Sequence, residues 1–349
     1  MPETINVGVI GTGMGRLHLR GYAKVPDVKI LGVCDINAED AKRFAAEYGA
    51  PHAVTDYHDL LKIEGLHAVS VAVPNHLHAP MTIDALQAGL HVLCEKPMAT
   101  SAADAKKMLA AAKKASRRLM IGMSLRFETE TQPAYDLAVT QGALGKIYYC
   151  RASMLRPRAF AGTFPKEGTM ARGPWFASKQ QAGGGALYDI GVHTFDCGWW
   201  LMGRPTPAYV TARTYFEIGP EHYERHGVPV DVEELATAMI KFENGATMLL
   251  DVSWGLNAKK SFGVQVMGTK AGVDLSPALY HDGPDGKFAV ETITSPAEVE
   301  GEWAHFIHCI RDPRLPCKSP AEDGLVVMRV LDAIYLAAAT DKQVRVAKR

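Results

Sequence analysis

Three short stretches carry side chains able to move protons or cradle phosphates. Lys96 sits in Glu95-Lys96-Pro97, directly after the apolar run His91–Cys94. An amine just beyond a buried strand is partly stripped of water, and it can hydrogen-bond a reacting hydroxyl or shuttle a proton. The same two residues also read as a surface Glu95–Lys96 ion pair, worth little. Asp189, His193 and Asp196 follow Gly183-Gly184-Gly185. At i, i+4 and i+7 they share one helical stripe, and an imidazole oriented by a carboxylate suits general-base work. A helix–helix contact satisfies the same pattern. Gly11-Thr12-Gly13-Met14-Gly15 follows the apolar run Ile5–Ile10 and precedes an amphipathic stretch. Glycines there permit a tight turn and close backbone approach to a pyrophosphate, with helix N–H groups behind it. The spacing is irregular. A GxGxxG pattern would place glycine at position 16, where Arg16 stands, and Gly15 arrives one residue early.

Asp35 strengthens the dinucleotide reading. It ends the run Val28–Cys34, 20 residues after Gly15, about the spacing of an acid that binds the adenosine ribose hydroxyls. With Ile36 beside it, a carboxylate at this place repels a 2′-phosphate, so NAD is expected over NADP. The competing role for Asp35 is N-cap of the helix expected over Ala38–Tyr48, which Asn37 can also fill. No Cys/His/Glu set stands at metal-ligand spacing, so no metal is expected. His18, His76 and His78 read as structural or cofactor-contacting residues rather than bases. Trp199-Trp200-Leu201 reads as core packing.

The elements that must position these groups follow from hydrophobic periodicity. Strands are expected over Ile5–Ile10, Val28–Cys34, Ala68–Val73, His91–Cys94 and Leu119–Met123. Helical patterns over Ala38–Tyr48, Ala79–Ala88 and Ala102–Ala115 fill the gaps. Near-continuous apolar strands alternating with helices mean βαβ units and a doubly wound parallel sheet, with ligands beyond the strand ends. After residue 123 the pattern changes. Longer strands are expected over Lys146–Met154, Ala208–Phe216, Leu235–Phe242 and Ala246–Trp254, with another over Phe288–Ile293. Asn244-Gly245 suits a type I′ hairpin turn, and Asp285-Gly286 offers a second. One helix starts after Gly185 and runs to about Met202; another covers Glu322–Ala339. The expected architecture is α/β: a parallel-sheet domain over 1–123, then an α+β domain over 124–349 with an open, mostly antiparallel sheet. The stretch Arg156–Gln181 has no period, and loops of that length are usually functional or disordered.

Composition bounds the function class. The chain has 349 residues, 47% of them hydrophobic, so a sizeable core is available. Lys+Arg and Asp+Glu are 38 each, which argues against nucleic acid or an anionic membrane as partner. No apolar run approaches the roughly 20 residues of a membrane span. The N-terminus has no basic n-region, and the six cysteines form no CxxC pair. A reduced, cytoplasmic protein is therefore expected.

Taken together, these motifs resemble the glucose–fructose oxidoreductase/inositol dehydrogenase/MocA (Gfo/Idh/MocA) family over nearly the whole chain. The strongest matches are Ala88–Pro97 and Gly183–His193; Pro74-Asn75 with His78 also fits. The short glycine loop departs from the family pattern. The resemblance implies a Rossmann domain that holds NAD through Gly11, Thr12, Gly13, Met14, Gly15, Asp35 and Ile36. It implies that Val73, Pro74, Asn75, His78, Glu95 and Lys96 line the nicotinamide and ribose, and that Trp175 and Phe176 cover the cofactor. It implies hydride transfer between nicotinamide and a sugar, polyol or cyclitol carbinol. Lys96 would polarise the oxygen, Asp189 would hold substrate or orient the base, and His193 would be the acid/base. Arg126, Arg156 and Arg158 would hydrogen-bond substrate, although solvated loop charge describes them equally well. The resemblance further implies a homodimer or homotetramer formed through the second sheet. Two other classes stay open: an NAD-dependent glycosidase using transient C3 oxidation, and a non-catalytic sugar/NAD sensor.

Overall fold

Ile5–Ile10 is apolar at every position but Asn6 and forms β1, with only Asn6 short of full burial. Such a strand must be covered on both faces. The computed structural model describes residues 4–157, 173–219, 221, 227, 229–276, 278–283, 287–294 and 298–348. The chain divides into two compact units, Met1–Met123 with Glu300–Met328, and Ser124–Val299 with Arg329–Arg349. In the first unit, β1 is joined by β2 (Val28–Cys34), β3 (His52–Val54), β4 (Ala68–Val71), β5 (His91–Cys94) and β6 (Leu119–Ile121). The sheet runs β3-β2-β1-β4-β5-β6, and every pairing is parallel. Its order reverses between β1 and β4, which is where open α/β sheets bind ligands. Helices Gly15–Tyr22, Ala38–Glu47, Tyr57–Leu61, Asn75–Gln87 and Ala102–Ala115 connect the strands.

The C-terminal boundary differs from expectation. Residues Glu300–Met328 belong to the first unit, although the sequence pattern assigns them to the second. Helix Glu302–Arg311 packs there because Gly21 leaves room for Trp303; a Cβ at Gly21 would lie 2.1 Å from the indole. The segment after it is tied to β6, with Ile121 N–H donating to Ser319 O at 3.0 Å and Ser319 Oγ–H donating to Ile121 O at 2.7 Å.

The second unit contains β7 (Ile147–Pro157), β8 (Pro207–Tyr215), β9 (Leu235–Phe242), β10 (Thr247–Leu256), β11 (Ser261–Gly268), β12 (Ala271–Asp274), β13 (Ala278–Asp282), β14 (Phe288–Thr292) and β15 (Val344–Arg345). They form one sheet, β14-β13-β12-β11-β7-β10-β9-β8-β15. Only β7 and β10 pair in parallel; the other pairings are antiparallel. The β9–β10 hairpin forms at Asn244-Gly245 but not as a type I′ turn. Of the two residues only Gly245 has positive φ (86°), and the turn spans three residues, 243–245. The expected Asp285-Gly286 turn lies outside the described residues. Helix Val192–Leu201 lies on β7 and β10 through Gly198, where a Cβ would meet Cys150 Sγ and Met248 Cε at 3.0 Å each. Among the described residues no helix is long and apolar enough to cross a membrane.

Candidate active site

In the first unit the three glycines of Gly11–Gly15 have three separate roles. Gly11 makes the turn, with φ +85°, and a Cβ there would lie 2.4 Å from Ala72 O. Gly13 faces open space, with no atom within 4 Å of a notional Cβ. Gly15 allows close packing of helix on strand, since its Cβ would fall 2.8 Å from Val9 Cγ1. A tight turn, an open backbone position and close helix–sheet packing are the three features such a loop needs, and all three are present here with one residue fewer. Helix Gly15–Tyr22 has no capping side chain at Met14, which leaves its N-terminal donors suited to an anion.

Asp35 reaches across this loop. Thr12 N–H and Thr12 Oγ1–H donate to its Oδ2 at 2.7 and 2.6 Å, and Asn37 N–H donates to Oδ1 at 2.9 Å. Helix Ala38–Glu47 is capped by Asn37, which accepts from the Glu39 and Asp40 N–H groups. Asp35 is therefore not the cap. Ile36 beside it is 94% exposed and offers no charge to a phosphate.

Glu95 and Lys96 follow β5 and are half-buried. A buried chain fixes Glu95. Burial pushes the Tyr22 phenol pKa well up, and its hydroxyl lies 2.8 Å from Ser70 Oγ. His18 lies 2.9 Å from Ser70 Oγ through Nδ1 and donates Nε2–H to Glu95 Oε1 at 2.8 Å. Glu95 Oε2 accepts from the Lys96 N–H at 3.1 Å. The Glu95 carboxylate thus holds the backbone at Lys96.

In the second unit Gly184 and Gly185 let the chain close on a buried acid. A Cβ at Gly184 would lie 1.9 Å from Tyr335 Oη, and one at Gly185 would lie 1.9 Å from Glu233 O. Glu233, 1% exposed, accepts from Gly185 N–H (3.1 Å), Leu187 N–H (2.9 Å) and Tyr335 O–H (2.7 Å). Burial, the largest influence, raises its pKa above the ordinary value, while these hydrogen bonds oppose that rise. The chain then makes a π-helical turn, Leu187–Gly191, before entering helix Val192–Leu201. Asp189 Oδ2 accepts from Trp254 Nε1–H at 3.0 Å, with Arg156 Nη1 at 3.7 Å. His193, half-buried, stands one turn later.

Residues 5–123 match the model of an oxidoreductase family with an NAD-binding Rossmann fold, and residues 136–274 match the Gfo/Idh/MocA C-terminal domain. The chain belongs to the Gfo/Idh/MocA family. It is 29% identical to the D-glucoside 3-dehydrogenase of Escherichia coli K12, over 97% of each chain. It is also 29% identical to an inositol 2-dehydrogenase of Salmonella paratyphi B, over 61% of this chain and 58% of that one. A levoglucosan dehydrogenase solved with NADH and levoglucosan superposes with a TM-score of 0.85 at 26% identity, covering 99% of this chain and all of that one.

Several residues expected to face ligand in this Gfo/Idh/MocA chain do other work. Arg126 is fully buried and forks onto Asp196, donating Nε–H to Oδ2 at 2.9 Å and Nη2–H to Oδ1 at 2.5 Å. Its guanidinium also lies over Trp200. The expected stripe of Asp189, His193 and Asp196 is divided accordingly, because the π turn shifts the helical phase and sends Asp196 into the core. His78 does not line a ligand face. It is 1% exposed, and its ring nitrogens lie 2.7 Å from Pro97 O and 2.8 Å from Val73 O. It thereby braces the two loops that carry Val73, Pro74 and Lys96. Phe176 is buried and stacks on Trp254 at 4.9 Å, while Trp175 beside it stays half-buried. Arg158 lies outside the described residues. Glu233 and Trp254 escape sequence reasoning: a glutamate before a strand and a tryptophan inside one carry no local signal for contacts made with residues 185–189.

The Arg126–Asp196 pair gives a direct test. Arg126→Met should leave Asp196 buried without its cation and lower unfolding stability by about 3–5 kcal/mol, read by urea denaturation. Adding Asp196→Leu should recover most of the loss. A raised KM at unchanged stability would instead return Arg126 to a substrate-binding role.

Proposed function

We propose that this chain is an NAD-dependent dehydrogenase acting on a secondary hydroxyl of a sugar, sugar derivative or cyclitol. One observation carries the reading: half-buried His193 stands one helical turn after Asp189, a buried carboxylate tied to Trp254 and facing Arg156. Similarity over 97% of its length to a D-glucoside 3-dehydrogenase supports the substrate class.

Gly11, Thr12, Gly13, Met14, Gly15, Asp35 and Ile36 would hold the adenosine diphosphate half of NAD. Val73, Pro74, Asn75, Glu95 and Lys96 would hold its other half, with Trp175 as a cover. The nicotinamide, when bound, supplies the hydride acceptor. Lys96 hydrogen-bonds the reacting oxygen through Nζ and stabilises the charge that grows on it. His193 takes the hydroxyl proton onto its imidazole. Asp189 favours the imidazolium that results, and Arg156 offers donors to substrate hydroxyls. Tyr209, Tyr215 and Leu249 are exposed on the same face of the second sheet, away from helix Val192–Leu201. That face supports association of copies through this sheet.

His193→Ala should lower kcat by roughly 10²–10⁴-fold while NAD still binds, measured by steady-state turnover and by quenching of intrinsic fluorescence. Undiminished turnover would remove His193 from the mechanism. Asp35→Ser combined with Ile36→Arg should move preference from NAD toward NADP, read as the ratio of the two kcat/KM values. An unaltered ratio would mean that Asp35 only ties the glycine loop to β2.

A further inference from the structure

His305 and Cys309 sit four residues apart on helix Glu302–Arg311, so they share one face. Cys317 comes from the segment that Ser319 anchors to β6. The imidazole nitrogen and the two sulfurs all lie within 4.8 Å of one another, and His305 and Cys309 are each only 1% exposed. We propose that His305, Cys309 and Cys317 form a binding site for a thiophilic divalent cation of the zinc class, separate from the substrate chemistry.

The ligand types and their surroundings fit that cation. Two thiolates and an imidazole are a common zinc donor set, with sulfur and nitrogen at about 2.3 and 2.0–2.1 Å from the ion. His305 Nε2 is 3.4 Å from Cys309 Sγ, close to the separation that tetrahedral bonds of those lengths require. His305 Nδ1 lies 2.6 Å from Glu300 Oε2. The carboxylate accepts Nδ1–H, which makes Nε2 the nitrogen that would bond the ion. A carboxylate behind a ligating histidine is the usual outer partner at a zinc site. Glu300 is itself held by His308 Nδ1 at 2.7 Å and Lys318 Nζ at 3.4 Å.

Nε2 now accepts from Lys318 N–H at 2.9 Å, and a cation would replace that hydrogen bond. Binding forms two metal–sulfur bonds and one metal–nitrogen bond, and both thiol protons leave to solvent. Water completes the coordination. A cavity of about 210 Å³ lined by Cys309, Cys317, Arg118 and Lys113 gives it access. Bound there, the ion would staple helix Glu302–Arg311 to the edge of the first sheet. That helix also carries Trp303, which packs edge-on against His18 at 5.7 Å.

The test is titration of the full chain, stripped by a chelator and kept reduced, with cobalt(II). One cobalt per chain should bind with sulfur-to-cobalt charge-transfer absorption and the visible bands of tetrahedral coordination, and zinc should displace it. Cys317→Ser, at a half-buried position, should lose most of the charge-transfer band while keeping the wild-type circular dichroism. Glu300→Gln should keep the band and weaken affinity about 10–100-fold. Absence of charge-transfer absorption in the wild-type chain would overturn the site. So would a full band that survives in the Cys309→Ser/Cys317→Ser double variant.

Discussion

A single buried carboxylate sets the candidate catalytic helix. Glu233 is out of contact with water, and an uncompensated charge there would be costly. Its compensation comes from the Gly185 and Leu187 N–H groups, at the entry to the π turn, and from the Tyr335 hydroxyl. Those N–H groups are the orphan donors that any helix start must satisfy. The acid and the helix therefore solve each other's problem, and they do so only because Gly184 and Gly185 lack side chains. With the entry pinned this way, the π turn delivers Asp189 to Trp254 and leaves His193 half-buried one turn later.

The first unit uses the same logic with different groups. Tyr22, Ser70 and His18 form a buried chain that ends on Glu95, and Glu95 holds the Lys96 backbone. His78 braces the neighbouring loop through two carbonyls. In both units the polar groups with buried partners hold the backbone in place. Lys96, Asp189 and His193 stand on the backbone fixed in this way. Oxidoreductase chemistry needs such preorganisation because a positioned donor or base loses little in reorganisation as charge develops.

Much of this was legible in the sequence. The parallel sheet followed from apolar runs alternating with helices, and β1, β2 and β5 match their expected limits. The glycine loop and Asp35 stood out by spacing, and the structure brings them together through Thr12. The remainder depends on tertiary contact. β3 has three residues, His52–Val54, and none of them is buried. Helix Glu302–Arg311 buries Glu302 and His305 among its apolar residues, which blurs its period. Arg126 read as a substrate ligand because its partner, Asp196, is 70 positions away. The π turn could not be inferred from an i, i+4 pattern, since it changes the phase on which such patterns rest.

The most direct test is nicotinamide fluorescence of the purified chain, supplied with NAD or NADP, across glycosides, aldoses, sugar acids and cyclitols. Accumulation of NADH with one of these classes, and little NADPH, is the expected result, and it would establish a net dehydrogenase. No accumulation with any substrate, together with a nicotinamide that copurifies and does not exchange, would contradict it and point to internal redox or to sensing.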